Sequence, residues 1–410
     1  MIQMQKIQSV FSKEEIEKFR NDTIGCNHIN HLNNAGASLM PDVITQSILE
    51  HIKLESEIGG YEAATLKADE IQQFYVQAGK LINCSPSNIA FTASATDSYT
   101  RALSSIPFQI GDVILTDNDG YISNQIQFIS CQKRFGIKIV RIKNAEIGGV
   151  DLQDLEEKLF TLQPRLLAIT HIPTNSGLVQ PVKSIGEIYS RYKKAHEDKT
   201  WYILDACQSA GQLKLDVEEL KCDFLSITSR KFLRGPRGAG FLYISDKALN
   251  FGLEPLFIDM RGAEWIEKDE YKQQPDAKRF EDWEFAYALV LGSKVAIEYC
   301  LEIGEDKIWQ QIQALSKYMR TELSKINTVR VLDKGPEVGG LVTFTVEDSE
   351  PKYIVDELLK RKINVVPSFR NFAIIDFDEK GVKWAVRASP HYYNTVEEID
   401  LFIEAVKEIV

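Results

Sequence analysis

Residues 201–245 read WYILDACQSAGQLKLDVEELKCDFLSITSRKFLRGPRGAGFLYIS, in which three apolar runs are separated by a polar segment and by a Gly/Pro/Arg turn. Each run has the length and the apolar composition of a buried β-strand. The first run ends at Asp205, and the second is followed directly by Ser229, Arg230 and Lys231. The pattern therefore predicts two strands whose ends bring a carboxylate and a lysine to one place.

Further strand-like runs precede this stretch and alternate with helical or loop segments. They read DVILTD, IKIVRIK and LLAITHI, at residues 112–117, 137–143 and 166–172. Such alternation favours a mainly parallel sheet with helices on both faces, and ligands of these sheets bind at the carboxyl ends of the strands. We therefore predict an α/β fold, with a large, mainly parallel sheet domain and a smaller α+β domain.

The length of the chain indicates more than one domain, because a single core rarely grows beyond about 250–300 residues and this chain has 410. We predict a large domain over residues 29–271 and a small domain over residues 279–410, joined by the polar stretch EWIEKDEYKQQPDAKR. Residues 1–28 precede them, and their start alternates polar and apolar residues as an amphipathic helix does. We expect this N-terminal segment to pack on the small domain.

Within the small domain, the pattern predicts two helices followed by strands. The first helix is expected to begin at Phe280. The second carries a regularly spaced apolar face made of Ile308, Ile312, Leu315, Met319 and Leu323. Strands are expected near residues 329–332 and 341–346.

Charge and cysteine usage limit the partners and the compartment. The net charge of −11 argues against nucleic acid or an anionic membrane surface as a main partner. The start of the chain has no long apolar run, so neither a secretion signal nor a membrane span is indicated. Cysteines 26, 84, 131, 207, 222 and 300 form no C-x-x-C pair, so neither a metal site nor a disulfide framework is predicted. We expect reduced thiols and a cytoplasmic location.

A second candidate site element lies at residues 93–96, between a predicted strand and a predicted helix. Its small residues, Ser94, Ala95 and Thr96, leave backbone N–H groups free to approach an anion at the start of the helix. Beside Lys231, this turn predicts a phosphate-binding cup. A lysine that forms a Schiff base, an acid opposite a ring nitrogen and a phosphate cup together suit pyridoxal phosphate. Asp205 would be the acid.

Several segments, in this order, resemble the class V aminotransferase and cysteine desulfurase-like family of fold type I pyridoxal phosphate enzymes. They are SAT at 94–96, HIPTNSGLVQPV at 171–182, LDACQ at 204–208, SITSRKFLRGPRGAGFLY at 226–243 and VRASPHYYNTVEEIDLFIEAV at 386–406. The signature TSRKFLRGPRG and the segment RFEDWEFAYA resemble most the branch with hercynylcysteine sulfoxide lyases and isopenicillin N epimerase-like proteins. The resemblance covers nearly the whole chain.

The resemblance implies a role for each matching residue at the cofactor. Lys231 would hold the cofactor and move the substrate Cα proton, and Asp205 would pair with the pyridinium nitrogen. Contacts to the ring and the phosphate are implied for Gln208 and either Thr174 or Asn175 at the ring oxygen, Tyr121 on the ring face, and Ser94, Ala95, Thr96, Ser229 and Arg230 at the phosphate.

The substrate end is implied in the same way. Arg387 resembles the arginine that grips the α-carboxylate through two parallel hydrogen bonds, and Ser368, Arg370 and Asn371 would line this end of the site. The stretch VVPSFRNFAIIDFDEKGV, residues 365–382, has no cysteine where desulfurases carry their nucleophile. Cys207 is expected to face away from the cofactor as a core residue. Persulfide chemistry is therefore not expected.

The function implied is that of an enzyme acting on a small amino-acid substrate through an external aldimine and Cα deprotonation. The leading hypothesis is carbon–sulfur β-elimination, that is, a C–S lyase. Transamination or epimerisation on the same cofactor is the alternative, and a non-catalytic pyridoxal phosphate-binding protein is the alternative of another class. The family also implies a homodimer with the active site at the interface, where residues 261–283 would reach the partner's phosphate.

Overall fold

The computed structural model describes residues 9–196 and 199–410. Its α-helices are α1 (Lys13–Asn21), α2 (Asp42–Ile58), α3 (Gly60–Leu66), α4 (Ala68–Ile82), α5 (Ala95–Ser105), α6 (Ile122–Phe135), α7 (Leu152–Leu162), α8 (Val182–Ala195), α9 (Val217–Leu220), α10 (Asp246–Phe251), α11 (Tyr287–Ile303), α12 (Glu305–Leu323), α13 (Pro351–Lys360), α14 (Ile374–Lys380) and α15 (Val396–Ile409). Within the described ranges, none of these helices has the length and apolar character needed to cross a membrane.

The strands are short, with two to five residues each. They are β1 (Asn30–His31), β2 (Ile89–Thr92), β3 (Val113–Thr116), β4 (Lys138–Arg141), β5 (Leu166–Thr170), β6 (Trp201–Asp205), β7 (Phe224–Thr228), β8 (Gly240–Ile244), β9 (Ala263–Glu267), β10 (Glu270–Gln273), β11 (Val329–Val331), β12 (Val342–Val346), β13 (Ile363–Asn364), β14 (Val366–Phe369) and β15 (Trp384–Ala388).

The large sheet has seven strands in the order β2-β8-β7-β6-β5-β3-β4. Strand β8 is antiparallel to β2 and β7, and every other pairing is parallel. Side chains alternate between two buried layers: Tyr202 and Leu204 join one core, and Trp201 and Ile203 the other. Both faces are therefore covered, which is why these strands are apolar throughout. The predicted mainly parallel sheet is confirmed.

The C-terminal part of the chain forms a second, antiparallel sheet in the order β11-β12-β15-β14. Helix α12 buries its apolar face, including Leu315, Met319 and Leu323, in a core shared with Phe344 of β12 and Phe402 of α15. The predicted face of this helix is confirmed. The short strand β1, near the start of the chain, pairs in parallel with β13 of this part.

Two elements differ from the sequence-based expectation between residues 264 and 287. The polar stretch predicted as a connection contains the antiparallel hairpin of β9 and β10, whose polar residues are exposed. The helix expected from Phe280 begins at Tyr287. The reason is Glu281, whose buried carboxylate accepts hydrogen bonds from the Phe91 N–H and the Tyr75 hydroxyl, both at 2.8 Å. These bonds hold the chain extended at Glu281.

The N-terminal helix α1 begins later than expected, at Lys13, because Ser12 caps it in a capping box with Glu15. Residues 1–8, the first part of the predicted amphipathic helix, lie outside the described residues. The contacts of α1 are with the end of the chain: the ring centroids of Phe19 and Tyr392 are 5.2 Å apart, and Arg20 pairs with Glu398 at 2.9 Å.

A buried arginine, Arg234, joins the two ends of the chain to the segment between β7 and β8 of the large sheet. The guanidinium carbon of Arg234 lies 4.3 Å from the Tyr393 ring centroid and 5.2 Å from that of Tyr392. Its nitrogens donate to the Tyr392 hydroxyl (2.5 Å), the Thr23 hydroxyl (2.5 Å) and the Leu39 carbonyl (2.9 Å). Cation–π contacts and three hydrogen bonds thus compensate the cost of burying this charge.

We predict that Arg234→Met lowers the free energy of unfolding by about 3 kcal/mol, because it leaves three buried polar partners without their donor. The measurement is the urea midpoint of the apoprotein, followed by fluorescence. Arg134→Met, at the exposed end of α6, is the matched control. A midpoint for Arg234→Met no lower than that of the control would contradict the structural role.

Candidate functional site

The carboxyl ends of β6 and β7 meet at one edge of the sheet, because these strands are parallel neighbours. Asp205, the last residue of β6, is 3% exposed. Its carboxylate accepts hydrogen bonds from the Asn124 side-chain amide at 2.8 Å and from the Cys207 backbone N–H at 3.0 Å. The acid is thus held in a fixed orientation at the strand end, as the sequence predicted.

Lys231 follows β7 and is buried. Its ammonium nitrogen lies 5.9 Å from the centroid of the Tyr121 ring. Burial lowers the pKa of Lys231, and the positive charges of Arg230 and Arg387 add to this effect against the opposing pull of Asp205. A lowered pKa increases the fraction of neutral amine, which is the form that attacks an aldehyde.

The turn before α5 lies against the same edge. The Ser94 hydroxyl caps the helix by accepting a hydrogen bond from Asp97 N at 3.1 Å, and the Ser226 hydroxyl of β7 donates to the Ala95 carbonyl at 2.9 Å. Thr96 is exposed at the first turn. The first N–H groups of a helix have no partner within the helix, and its dipole favours an anion there. The start of α5 therefore has the properties of a phosphate cup.

The two predicted phosphate ligands that follow β7, Ser229 and Arg230, differ in their burial and in their hydrogen-bond partners. The Ser229 hydroxyl is 2% exposed and lies 3.1 Å from the Ser293 hydroxyl of α11. Arg230 is half-buried and donates to the carbonyl of Gly36. Burial and the charge of Arg237 lower the pKa of Arg230, so its cation would be stabilised by an anionic ligand beside it.

Arg387, on β15, reaches the site from the C-terminal sheet. It is 6% exposed and donates to the Thr174 carbonyl at 3.0 Å and to the Asn33 side-chain oxygen at 3.3 Å. Its Nε has no hydrogen-bond partner among the described residues. Burial and the nearby Arg230 lower the pKa of Arg387 to about 10, so the guanidinium stays charged at neutral pH.

In the structure, the side chains of the neighbouring residues Thr174 and Asn175 contact different partners. The Gln208 amide lies 3.5 Å from the Thr174 hydroxyl and donates to the Ala35 carbonyl at 3.1 Å. The Asn175 side-chain oxygen instead accepts a hydrogen bond from the Ser368 hydroxyl. Thr174 thus lies on the Gln208 side, and Asn175 lies with Ser368 on the side of the C-terminal sheet.

The structure does not bring Arg370 and Asn371 to this group. Both are exposed, and Arg370 forms a bidentate ion pair with Asp378, with N–O distances of 2.5 and 2.6 Å. The cause is the short 3-10 turn at Arg370–Phe372, after which α14 folds back alongside it. The expected substrate-lining role of these two residues is not supported by their position.

The expectation that Cys207 is a core residue is not matched by its half-buried position. The charges of Asp205, Lys231 and Arg230 act on its thiol. The chain turns directly after β6, as the bond from Cys207 N to Asp205 shows, so strand alternation no longer applies there. Burial and Asp205 raise the pKa of Cys207 well above its usual value, which keeps the sulfur a thiol.

Sequence reasoning missed two asparagines, Asn33 and Asn124. Asn33 lies in the polar, turn-rich stretch HINHLNNAG, and that composition was the available signal for a loop near a ligand. Asn124 lies in α6, far from Asp205 in sequence, so only the folded structure shows its contact.

A family model described as "Aminotransferase class-V" matches residues 29–402. The chain belongs to this family. A probable cysteine desulfurase of Pyrococcus abyssi is 27% identical over 403 residues, covering 96% of this chain and 97% of that protein. A second probable cysteine desulfurase, of Methanothermobacter thermautotrophicus, is 27% identical over 391 residues, covering 92% and 94%.

Solved structures agree with this assignment. The apo structure of a cysteine desulfurase from Thermococcus onnurineus NA1 has a TM-score of 0.87 at 25% identity and covers 98% of this chain and 99% of its own. A cystine C–S lyase, solved with its product cysteine persulfide, has a TM-score of 0.83 at 25% identity, with 94% and 99% covered. The chain is therefore a pyridoxal phosphate-dependent, cysteine desulfurase-like enzyme of the class V family.

The residues of the site fit this cofactor. Lys231 is buried with a lowered pKa, and Gln208 Oε1 is buried without a hydrogen-bond partner in the described chain. The Tyr121 ring stands over the lysine, where it would pack on an aromatic group. A buried polar atom without a partner indicates that a polar group of a ligand belongs beside it.

We predict that Gly240→Ala weakens the affinity for pyridoxal phosphate by at least about tenfold. An added Cβ at Gly240 would stand 2.5 Å from the Ile227 carbonyl oxygen and 3.0–3.1 Å from the backbone of Ser94 and Ala95, so the turn before α5 must shift. Equilibrium titration of the apoprotein with the cofactor measures this. Gly60→Ala, which meets nothing within 4 Å, is the control, and equal affinities in both variants would contradict the prediction.

Proposed function

We propose that this enzyme cleaves a carbon–sulfur bond by β-elimination from an amino acid whose carboxylate is bound by Arg387. The observation that carries the proposal is that a buried Lys231 with a lowered pKa lies in one site with a buried, charged Arg387, while residues 365–382 contain no cysteine. The elimination needs a base at Cα and an anchor for the carboxylate. It does not need a sulfur-accepting thiolate.

We assign the cofactor end to residues of the large domain. Bound pyridoxal phosphate supplies an electron sink for charge that develops at Cα. Lys231 would hold the cofactor and then move the Cα proton. Asp205, oriented by Asn124, would pair with the ring nitrogen. Tyr121 would pack on the ring face. We assign the phosphate to the start of α5 and to Arg230, and the ring oxygen to Gln208 and Thr174.

We assign the substrate end to Arg387, Asn175 and Ser368. A guanidinium binds a carboxylate through two parallel hydrogen bonds, which fixes the amino acid relative to the base. Removal of the Cα proton by Lys231 is then followed by cleavage of the Cβ–S bond, in which the electron pair leaves with sulfur. Hydrolysis of the remaining fragment gives pyruvate and ammonia.

Transamination and epimerisation use the same residues and remain alternatives. Product analysis decides between them: the holoenzyme is incubated with cysteine conjugates, with and without a keto-acid acceptor, and the products are identified by mass spectrometry. Pyruvate and a released thiol without an acceptor support elimination. Product formation that requires the acceptor, or a change of configuration alone, contradicts it.

A persulfide-forming desulfurase is the second candidate, favoured by the names of the relatives and by the position of the Cys207 thiol. Three features oppose it. A reactive thiolate requires a lowered pKa, whereas burial and Asp205 raise the pKa of Cys207, although its position is only half-buried. Cys207 lies in the turn directly after a buried strand. Burial also raises the pKa of Cys26 to about 11 and of Cys84 to about 12.

We also propose a homodimer whose interface includes the segment between α10 and α11. The support is a set of large apolar side chains exposed around the chain between α10 and α11, such as Phe257 at 85% and Met260 at 64% exposed. Exposed apolar patches of this kind mark protein contacts. The cytoplasmic location stays a prediction from cysteine usage.

We predict that Lys231→Ala keeps the fold but abolishes both turnover and the visible absorbance of the lysine-bound cofactor. The reason is that no other amine is expected at the cofactor aldehyde. Borohydride reduction of the wild-type holoenzyme followed by peptide mapping locates the linkage, and Lys268→Ala, in the exposed hairpin turn, is the control. A pyridoxyl group on any other lysine would place the site elsewhere.

We predict that Cys207→Ala, and the variant with all six cysteines replaced, keep turnover within about tenfold of the wild type, a barrier change of about 1.4 kcal/mol at most. The reason is that elimination transfers no sulfur to the protein. Turnover is measured as pyruvate release at saturating cofactor. Complete loss of activity in a folded, cofactor-bound Cys207→Ala variant would restore the desulfurase assignment and identify the nucleophile.

A further inference from the structure

Asn33 contacts the arginine assigned to the substrate carboxylate. It lies two residues after β1, bridges in parallel to Ser389 of the C-terminal part, and its side-chain oxygen accepts a hydrogen bond from Arg387 Nη2 at 3.3 Å. The bridge places the backbone of Asn33 beside the strand end that carries Arg387. The contact therefore follows from the pairing of two chain segments more than 350 residues apart.

The loop formed by residues 33–38, the Asn33 loop, also touches other residues of the site. The Ala35 carbonyl accepts a hydrogen bond from Gln208 at 3.1 Å, and Ser38 N donates to the Arg230 carbonyl at 2.9 Å. Ala35 N is in turn held by the Ser389 hydroxyl at 2.9 Å. The loop is thus anchored at both the cofactor end and the substrate end of the site.

The side chain of Asn33 occupies a space that the loop leaves for it. A Cβ added at Gly36 would stand 2.6 Å from the Asn33 side-chain oxygen. The backbone turns back here, with Gly36 N donating to the Asn33 carbonyl at 3.0 Å. A glycine at position 36 therefore permits the amide to fold over the loop and reach Arg387.

The charge of Arg387 is not neutralised by its partners. Within the described residues, its hydrogen-bond acceptors are the Thr174 carbonyl and the Asn33 amide, and both are neutral. Nε has no partner. A buried cation held only by neutral acceptors attracts an anion strongly, whereas an adjacent carboxylate would compete for the same charge.

We propose that Asn33 is a positioning residue for the substrate: its neutral amide orients one arm of Arg387 and leaves the positive charge available to the α-carboxylate. Asn33 thereby sets the preference of the enzyme for α-amino acids over amines without a carboxylate. This inference rests on the role of Arg387 in the proposed function. It adds that the acceptor at position 33 must be neutral and must be held by the Asn33 loop.

The test compares glycine with methylamine, since both present an amine to the cofactor and glycine alone has a carboxylate. The holoenzyme is titrated with each, and binding is followed through the visible absorbance of the cofactor. Asn33→Asp is expected to weaken glycine binding by at least about tenfold and to leave methylamine within about twofold. Asn33→Ala and Gly36→Ala, which remove or displace the amide without adding charge, are expected to weaken glycine by less. Asn327→Asp, an exposed position, is the control.

The outcomes separate this inference from the proposed function. If Arg387→Gln keeps the preference for glycine over methylamine, or if the wild type has none, the carboxylate assignment itself fails. If Arg387→Gln removes the preference while Asn33→Asp binds both ligands as the wild type does, the inference about Asn33 alone fails. Equal weakening of both ligands by Asn33→Asp would show a merely structural role. If Asn33→Asp does not fold, wild-type glycine affinity in both neutral variants overturns the inference.

Discussion

The buried side chain of Arg234 fixes the turn that carries Lys231, the residue on which the chemistry depends. The backbone N–H of Arg234 donates to the Lys231 carbonyl at 2.9 Å. The side chain of Arg234 binds Thr23 near the start of the chain and Tyr392 near the end. The residue after Lys231 is also held by the end of the chain, because a ring nitrogen of His391 lies 2.9 Å from the Phe232 carbonyl. The position of the lysine is thus set by segments that are remote in sequence. A buried charge with several partners imposes such an arrangement because each partner must be present at once.

Positive charge dominates the interior of the site. Arg230 and Arg387 lower the pKa of Lys231, Arg230 also lowers that of Arg387, and Asp205 is the carboxylate that acts on Lys231. Three cations brought together without equal negative charge are unfavourable unless anionic ligands complete the site. A cofactor phosphate and a substrate carboxylate would supply that charge. The electrostatics therefore favour the binding of both anions.

The sequence predicted the elements whose signal is local. The runs that became β3 to β8, the acid at the end of β6 and the lysine after β7 follow from apolar run length and from the order of the strands. The helix expected at Phe280 failed because Glu281 is buried by tertiary contacts with Phe91 and Tyr75, and propensity alone does not register such contacts. Cys207 was misplaced for a related reason, since strand alternation ends where the chain turns.

The substrate end was harder to predict because it is assembled between the two sheets. Thr174 binds Arg387 through its carbonyl, and three residues later Gly177 N donates to Asp333 of the C-terminal part at 3.1 Å. Asp333 also pairs with Arg320 of α12 at 2.8 Å. The loop that carries Thr174 is therefore held by the C-terminal part of the chain, whereas Lys231 and Asp205 are placed by the large sheet itself. Because different parts of the chain hold the two ends of the site, the geometry of the substrate end can change with the packing of the smaller sheet. The geometry of the cofactor end is then preserved. Differences in substrate among enzymes of this fold are therefore expected to reside in the packing of the smaller sheet against the larger one.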